Sequence, residues 1–362
     1  MIANVGRIGA LLPSASIHYP MRRLVLLLVV IHFLGSTGAL RAQVPALATP
    51  APRIQLVPVD GSVKLEVVDW GGSGPPLVLL AALGTDAHEF DSFAPKLTDR
   101  CHVYGVTRRG FGASSKPNDG YSNERLGQDI LAVLDSLKID RALFAGHSMS
   151  GMELSWLGTH HPERVLGLIY IEAAYGYAFY SEASHDPTNL ILDALELQRK
   201  LPQLPPGGGR PDQQRLTSEL LTMTMKLEGE LREHAEQIKG FPDPEMDPAH
   251  PPNPPVWLTG IYQGLEKYTK IDVPALAIFA VPHALDNLGD PQQFAKDPKA
   301  AAAAEAADTL RCGSQADAFQ KGAPQGQVVR SAHANHFILD SNGAEVLALV
   351  RSFIDGVAKE TR

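Results

Sequence analysis

From about residue 54 the sequence alternates short apolar runs with amphipathic stretches, and this alternation restricts the fold more than any other feature. The runs cover residues 63–68, 76–82, 102–106, 141–146, 165–171, 275–281 and 327–331. Some are continuously apolar, as in Leu77-Val78-Leu79-Leu80, which suits strands covered on both faces. Between them, Leu126, Ile130, Val133, Leu134 and Leu137 fall on one helical stripe, and Val346, Val350, Phe353 and Val357 do so near the end. Strands alternating with helices predict an α/β fold with a mainly parallel, helix-covered sheet. The alternation stops between residues 173 and 270. Helical patterns at 189–199 and 213–238 are separated there by Pro/Gly-rich stretches at 201–211 and 241–255. Proline removes a donor and fixes φ, so these stretches predict loops. The segment 173–270 is read as an inserted helical lid. The Ala-rich stretch 300–307 predicts a helix.

Near the start, Met21-Arg22-Arg23 precede an apolar run from Leu24 to Leu34, and small residues follow up to Ala42. This order is that of a secretory signal peptide. The run is shorter than the ~20 residues of a membrane span. Residues 1–42 are therefore expected to be a signal peptide with an upstream extension, starting in truth at Met21. The chain from Gln43 is expected to be exported, periplasmic or secreted, with no stable membrane span after cleavage. The net charge of −8 becomes −12 without the four Arg of residues 1–42. Such a chain has no basic footprint for nucleic acid. Cys101 and Cys312 are too few for a disulfide framework or a four-cysteine zinc site; one disulfide and two buried thiols are both open. There is no G-x-G-x-x-G and no P-loop. His160-His161 are adjacent rather than four apart, a poor metal pair. Neither a cofactor nor a metal is expected.

Chemistry concentrates at Leu143-Phe144-Ala145-Gly146-His147-Ser148-Met149-Ser150-Gly151. An apolar strand runs into a Gly/Ser turn and then a helix over 152–160. This is the setting of a nucleophile elbow, in which a serine sits on a strained strand-to-helix turn. The residues two before and two after must be small, and here they are Gly146 and Ser150. The helix start behind Ser148 favours developing negative charge. His147 adjoins the serine, but adjacent side chains at such a turn point apart, so a structural role is expected for it.

With this turn, three further segments resemble the α/β-hydrolase fold superfamily: Leu79-Leu80-Ala81-Ala82-Leu83-Gly84, Arg108-Arg109-Gly110-Phe111-Gly112-Ala113-Ser114 and Ala334-Asn335-His336-Phe337. The resemblance spans about residues 60–358. It implies an α/β-hydrolase sheet, oxyanion donors at the amides of Leu83 and Met149, and His336 as the base that a serine nucleophile requires. His333 is the rival base. Ala81-Ala82 stands where the family commonly has His-Gly. The family places its acid at one of two strand ends. After the strand that follows the insertion, His283 stands where Asp is common, and Asp286 follows three residues on. At the end of the strand before the insertion stands Glu172. An acid buried there is costly unless paired, and orienting His336 would pair it. Glu172 is therefore the expected acid and Asp286 the alternative. By the same resemblance Arg108-Arg109 belongs to a structural turn.

Relatives that open epoxides or displace halides carry Asp at the elbow, so Ser148 points to acyl transfer. The expected function is an exported serine hydrolase that cleaves a small carboxylic ester through a Ser-His-acid triad. The alternatives are an amide or peptide hydrolase, a cofactor-free non-hydrolytic relative (perhydrolase-like or carbon–carbon cleaving), and a non-catalytic binding member. Tyr175, Tyr177, Phe179 and Tyr180 open the insertion, either as an apolar pocket or as packing. Trp257 and Tyr262 near its end share that ambiguity.

Overall fold

The computed structural model describes residues 51–184, 186–203, 210–239 and 255–360, and within them eight strands form one sheet. They are β1 (Arg53–Asp60), β2 (Val63–Gly72), β3 (Pro76–Leu80), β4 (His102–Val106), β5 (Ala142–His147), β6 (Val165–Ile171), β7 (Ala275–Ala280) and β8 (Gly326–Ser331). Their order is β1-β2-β4-β3-β5-β6-β7-β8. β2 is antiparallel to both β1 and β4, and every other neighbouring pair is parallel. The expected α/β sheet is therefore present, and each of the seven apolar runs lies on a strand.

Alternation along the strands explains the continuous apolar runs. Val78 and Leu80 of β3, Phe144 of β5 and Tyr170 of β6 face one core. Leu77 and Leu79, Leu143 and Ala145, and Ile169 and Ile171 face the other. The first core is closed by α1 (Asn123–Ser136), through Ile130, Val133 and Leu134, and by α2 (Gly151–His160), through Leu154, Trp156 and Leu157. Each such side chain contributes roughly 1.5–3 kcal/mol by leaving water. Ser122 caps α1 by accepting the Arg125 N–H. Arg108 and Arg109 are buried and paired: Arg108 reaches Glu153 on α2 at 2.7 and 2.6 Å, and Arg109 reaches Asp129 on α1 at 2.6 and 2.7 Å. The turn 108–114 is thereby tied to both helices.

Among the described residues, three α-helices lie between β6 and β7: α3 (Thr188–Lys200), α4 (Arg210–Ile238) and α5 (Val256–Gln263). The loop expected over 201–211 needs correction at both ends. Leu201–Gln203 continue as a 3-10 turn, and Arg210 and Pro211 already belong to α4. Proline is harmless in a first helical turn, where its missing N–H would have no partner. Beyond β7 come α6 (Leu285–Leu288), α7 (Pro291–Lys296) and α8 (Pro298–Gly322), which contains the Ala-rich stretch. After β8 come α9 (Ile338–Ser341) and α10 (Gly343–Glu360), whose Val346, Val350, Phe353 and Val357 cover the second core. Cys101 and Cys312 are both buried and free. The expected leader, residues 1–42, lies outside the described residues, as do 204–209 and 240–254. Among the described residues no helix is long and apolar enough to cross a membrane.

Candidate active site

Because β5, β6, β7 and β8 lie side by side and run parallel, their C-terminal ends gather residues that are distant in sequence. Ser148 directly follows β5 and Glu172 directly follows β6. His283 stands three residues past β7, and His336 five past β8. The crevice beyond the strand ends of an open parallel sheet is the usual place for a ligand.

Ser148 and Glu172 both have positive φ, 53° and 50°. Non-glycine residues adopt this region at a cost and hold it where surroundings enforce it. At Ser148 the enforcement is visible. A Cβ on Gly146 would lie 2.4 Å from the Ser150 hydroxyl, and one on Gly151 would lie 1.8 Å from the Ala173 carbonyl oxygen. The elbow therefore presses against the β6 loop through Gly151. Ser150 is buried, and its hydroxyl lies 3.0 Å from the Leu80 carbonyl oxygen and 2.8 Å from that of His147. A side chain fits at position 150 because its one polar group has partners.

His336 Nε2 lies 2.9 Å from Ser148 Oγ, and His336 Nδ1 lies 3.1 Å from Glu172 Oε2. Glu172 is 0% exposed. Its Oε1 accepts the Tyr175 hydroxyl at 2.7 Å and the Ala280 N–H at 2.5 Å, while its Oε2 also meets His283 Nε2 at 2.9 Å. Burial alone would raise this carboxyl, but the hydrogen bonds from His283 and His336 hold it below the ordinary carboxylate range. Asp286 is exposed on α6; its neighbour Asn287 accepts the His336 N–H through Oδ1 at 3.0 Å. His333 is exposed at φ 55°. Of the residues considered for the acid and the base, Glu172 and His336 are thus the pair beside Ser148.

Leu83 packs against the hydrophobic cluster that contains Met149. The loop leading to Leu83 is organised by Glu89, which accepts the Ala82 N–H at 3.0 Å and the Thr85 hydroxyl at 2.5 Å. Glu89 also bonds His147 Nδ1, and His147 Nε2 lies 2.8 Å from the backbone carbonyl oxygen of His336. His147 therefore ties the loop after β3 to the backbone of His336. Although burial works against its charge, the Glu89 carboxylate raises its proton affinity. Glu89 and Asp308, the second partner of His283, carry no sequence signal, since their partners meet them only in three dimensions.

A cavity of about 330 Å3 opens on Ser148 and His336, with Tyr175, Tyr177, Thr188 and Arg311 among its walls. The Tyr177 hydroxyl hydrogen-bonds Ser148; burial first, then the Glu172 charge, keeps this phenol protonated. The aromatic run divides its roles. Tyr175 and Tyr177 line the cavity, Phe179 packs on Phe319, and Tyr180 binds Asp193 at 3.1 Å. Trp257 stacks edgewise on Phe111 and, with Tyr262, packs beside Met149. Two triplets, Glu172/His283/His336 and His283/Asp308/Cys312, have the spacing to hold a metal ion. Hydrogen bonds within each triplet already account for that closeness.

A family described as alpha/beta hydrolase fold matches residues 75–236. The chain is 37% identical over 100 residues to a 3-oxoadipate enol-lactonase of Acinetobacter baylyi, covering 28% of this chain and 38% of that protein. It is 34% identical over 119 residues to epoxide hydrolase A of Mycobacterium tuberculosis, covering 32% and 37%. The chain thus spans about two fifths of the length of these curated relatives. The solved structure of a thermophilic esterase from Thermogutta terrifontis superposes with a TM-score of 0.51 at 16% identity, covering 84% of this chain and 99% of that one.

Proposed function

We propose that the chain, which matches the alpha/beta hydrolase fold family over residues 75–236 and has that family's sheet, hydrolyses a small carboxylic ester, cyclic esters included, through a covalent acyl-enzyme. The observation that carries this reading is the line from Ser148 Oγ to His336 at 2.9 Å and on to Glu172 at 3.1 Å. His336 Nε2 takes the hydroxyl proton as Ser148 attacks the carbonyl, and Glu172 keeps the other ring nitrogen protonated and aimed. The amides of Leu83 and Met149 receive the developing oxyanion. The tetrahedral intermediate collapses to a Ser148 ester, and His336 passes its proton to the departing alkoxide. Water then attacks the acyl carbon as His336 takes its proton; the bond to Ser148 Oγ breaks, His336 returns the proton to Oγ, and the acid leaves.

A serine is also the reason for favouring esters over epoxides, despite the likeness to epoxide hydrolase A. The likeness to an enol-lactonase supports a cyclic ester as one form of substrate. The helices between β6 and β7 serve, in this reading, as the lid over Ser148. Residues 1–42 direct export, so the enzyme works in the periplasm or outside the cell. The test is hydrolysis of p-nitrophenyl acetate, butyrate and octanoate by the protein and by Ser148→Ala. Turnover that vanishes in the variant is expected, with the chain-length profile sizing the cavity. Turnover surviving in Ser148→Ala, or no labelling of Ser148 by a serine-directed phosphonate, would refute the mechanism.

A further inference from the structure

We propose that His283, held as an imidazolium by Asp308, is a positioning residue for this hydrolysis: it fixes the Glu172 carboxylate against His336 and sets a like charge beside the imidazolium that His336 becomes when Ser148 gives up its proton. The inference rests on the serine-hydrolase reading and assigns a role to a residue outside the Ser-His-acid set.

The protons decide it. His283 Nε2 lies 2.9 Å from Glu172 Oε2, and Nδ1 lies 3.0 Å from Asp308 Oδ2. An ionised carboxylate only accepts, so an imidazole between two of them bonds both only by donating from both nitrogens. That ring is charged. The arrangement is rigid, since Asp308 Oδ2 also accepts the His283 backbone N–H at 2.8 Å. Arg311 Nη2 closes the series on Asp308 Oδ1 at 2.8 Å. Charges therefore alternate from Glu172 through His283 and Asp308 to Arg311. Burial opposes the His283 charge, yet bonds to Asp308, Cys312 and Glu172 push its proton affinity up to about 11. Asp308 moves the other way, well below the ordinary range: burial resists, but His283 prevails.

The consequence falls on Glu172. Its Oε2 receives both His283 and His336, and its Oε1 receives Tyr175 and Ala280. A wholly buried carboxylate without a countercharge would take up a proton or pull away from His336. His283 supplies the countercharge at Oε2, the same oxygen that His336 bonds. It is also a like charge to the His336 imidazolium that forms when Ser148 loses its proton. The groups facing His283 are Glu172 at the end of β6, Asp308, Arg311 and Cys312 on α8, and, across Glu172, Tyr175 and His336.

The experiment has two parts. In the first, nitrogen NMR of the intact protein labelled in its histidines reads both His283 ring nitrogens at pH 8 to 9. The signals are assigned by their loss in His283→Gln and their shift in Asp308→Asn. A doubly protonated ring is expected; a neutral ring overturns the proposal, whether or not any ester is turned over. The second part is the pH profile of kcat/KM for the best p-nitrophenyl ester. Gln keeps a neutral donor near Glu172 but removes the charge, so the acid limb should move up by about one pH unit, with kcat reduced more than KM is raised. Asp308→Asn should move the limb the same way, and the double variant should move it no further than His283→Gln alone. A folded, phosphonate-labelled His283→Gln protein with an unmoved limb refutes the positioning role. If His283→Gln fails to fold, Asp308→Asn and the spectrum of the intact protein decide. A charged His283 in a protein that cleaves no ester would refute the ester reading and leave the charge assignment standing.

Discussion

Replacing Glu172 by Gln tests the site at its narrowest point, because the two side chains share a shape and differ in who donates. All acceptor positions of Glu172 are in use: Tyr175 and Ala280 on Oε1, His283 and His336 on Oε2. A glutamine must turn its NH2 toward one of these pairs. Toward Oε1 it would leave the fixed Ala280 N–H unpaired in a buried place, a cost of about 1–3 kcal/mol. Toward Oε2 it faces ring nitrogens, and a ring can move its proton. His336 then accepts at Nδ1 and carries its proton on Nε2, against Ser148 Oγ. In that tautomer it cannot take the serine proton. Loss of the correct tautomer in a Ser-His-acid set costs about 10⁴ in kcat, which is about 5.5 kcal/mol of transition-state stabilisation. The assay is steady-state kcat and KM on the best p-nitrophenyl ester, with thermal unfolding to establish that the variant is folded. Asp286→Asn, on the exposed side of α6, is expected to stay within about twofold, since a surface change away from the site is nearly neutral. Activity of Glu172→Gln within about tenfold of the parent, or a collapse in Asp286→Asn, would refute the assignment of the acid.

Gly151→Ala places a Cβ 1.8 Å from the Ala173 carbonyl oxygen, a backbone clash that no rotamer relieves. A loss of about 3 kcal/mol in urea unfolding is expected, and an unchanged midpoint would contradict the close approach. Glu153→Leu leaves the Arg108 guanidinium buried without its bidentate partner, which should cost about 3–5 kcal/mol. Adding Arg108→Leu should recover much of that loss, and no recovery would mean packing, not charge, was lost. Burial, and then Asp193 beside it, push the Glu230 carboxyl up to about 7. The folded protein therefore holds a proton there that the unfolded chain releases near 4.5. That contribution is complete below about pH 4.5 and lost as pH rises through about 7. Melting temperatures of the parent minus those of Glu230→Gln should fall across this window, and a flat difference would refute the shift.

What the sequence made legible follows from which interactions are local. β3, β5 and β6 are covered on both faces, so their residues read as unbroken apolar runs whatever the tertiary arrangement. β1 escaped notice because it is an edge strand with its large apolar residues outward: Ile54 and Leu56 are 56% and 53% exposed, whereas Val57 is buried. Its Pro58 also argues against a strand and is tolerated at an edge. The elbow is a local device, and Gly146 and Ser148 announce it within three residues. The acid is not local. Nothing near Glu172 in the chain shows that it meets His336, 164 residues away. Glu89 and Asp308 were hidden for the same reason. Without His147 and His283 in space beside them, they are two acidic residues in helical segments.

The placement of the acid has a geometric origin that can be turned into a last test. β6 and β7 are parallel neighbours in register, Ile171 beside Ile278, and the Glu172 N–H bonds the Ile278 carbonyl oxygen at 2.9 Å. The ends of these two strands therefore approach the same point behind His336. The proposed mechanism asks for a carboxylate at that point, and whether either strand can deliver it is open to test. Here β6 delivers it at positive φ and wholly buried, and the turn after β7 delivers a cation in return. Exchanging the charges should partly restore function: in the background of Glu172→Gln, His283→Asp would present a carboxylate from the β7 side. Asp308 must be neutralised with it, because it would otherwise face a second anion where His283 now stands. The expectation is that Glu172→Gln/His283→Asp/Asp308→Asn recovers at least about tenfold in kcat over Glu172→Gln, roughly 1.4 kcal/mol. Recovery that depends on Ser148 and is absent from Glu172→Gln/Asp308→Asn would mean the two strand ends are interchangeable carriers. No recovery in a folded, phosphonate-labelled triple variant would mean that the depth and backbone strain at Glu172 matter beyond the charge it bears.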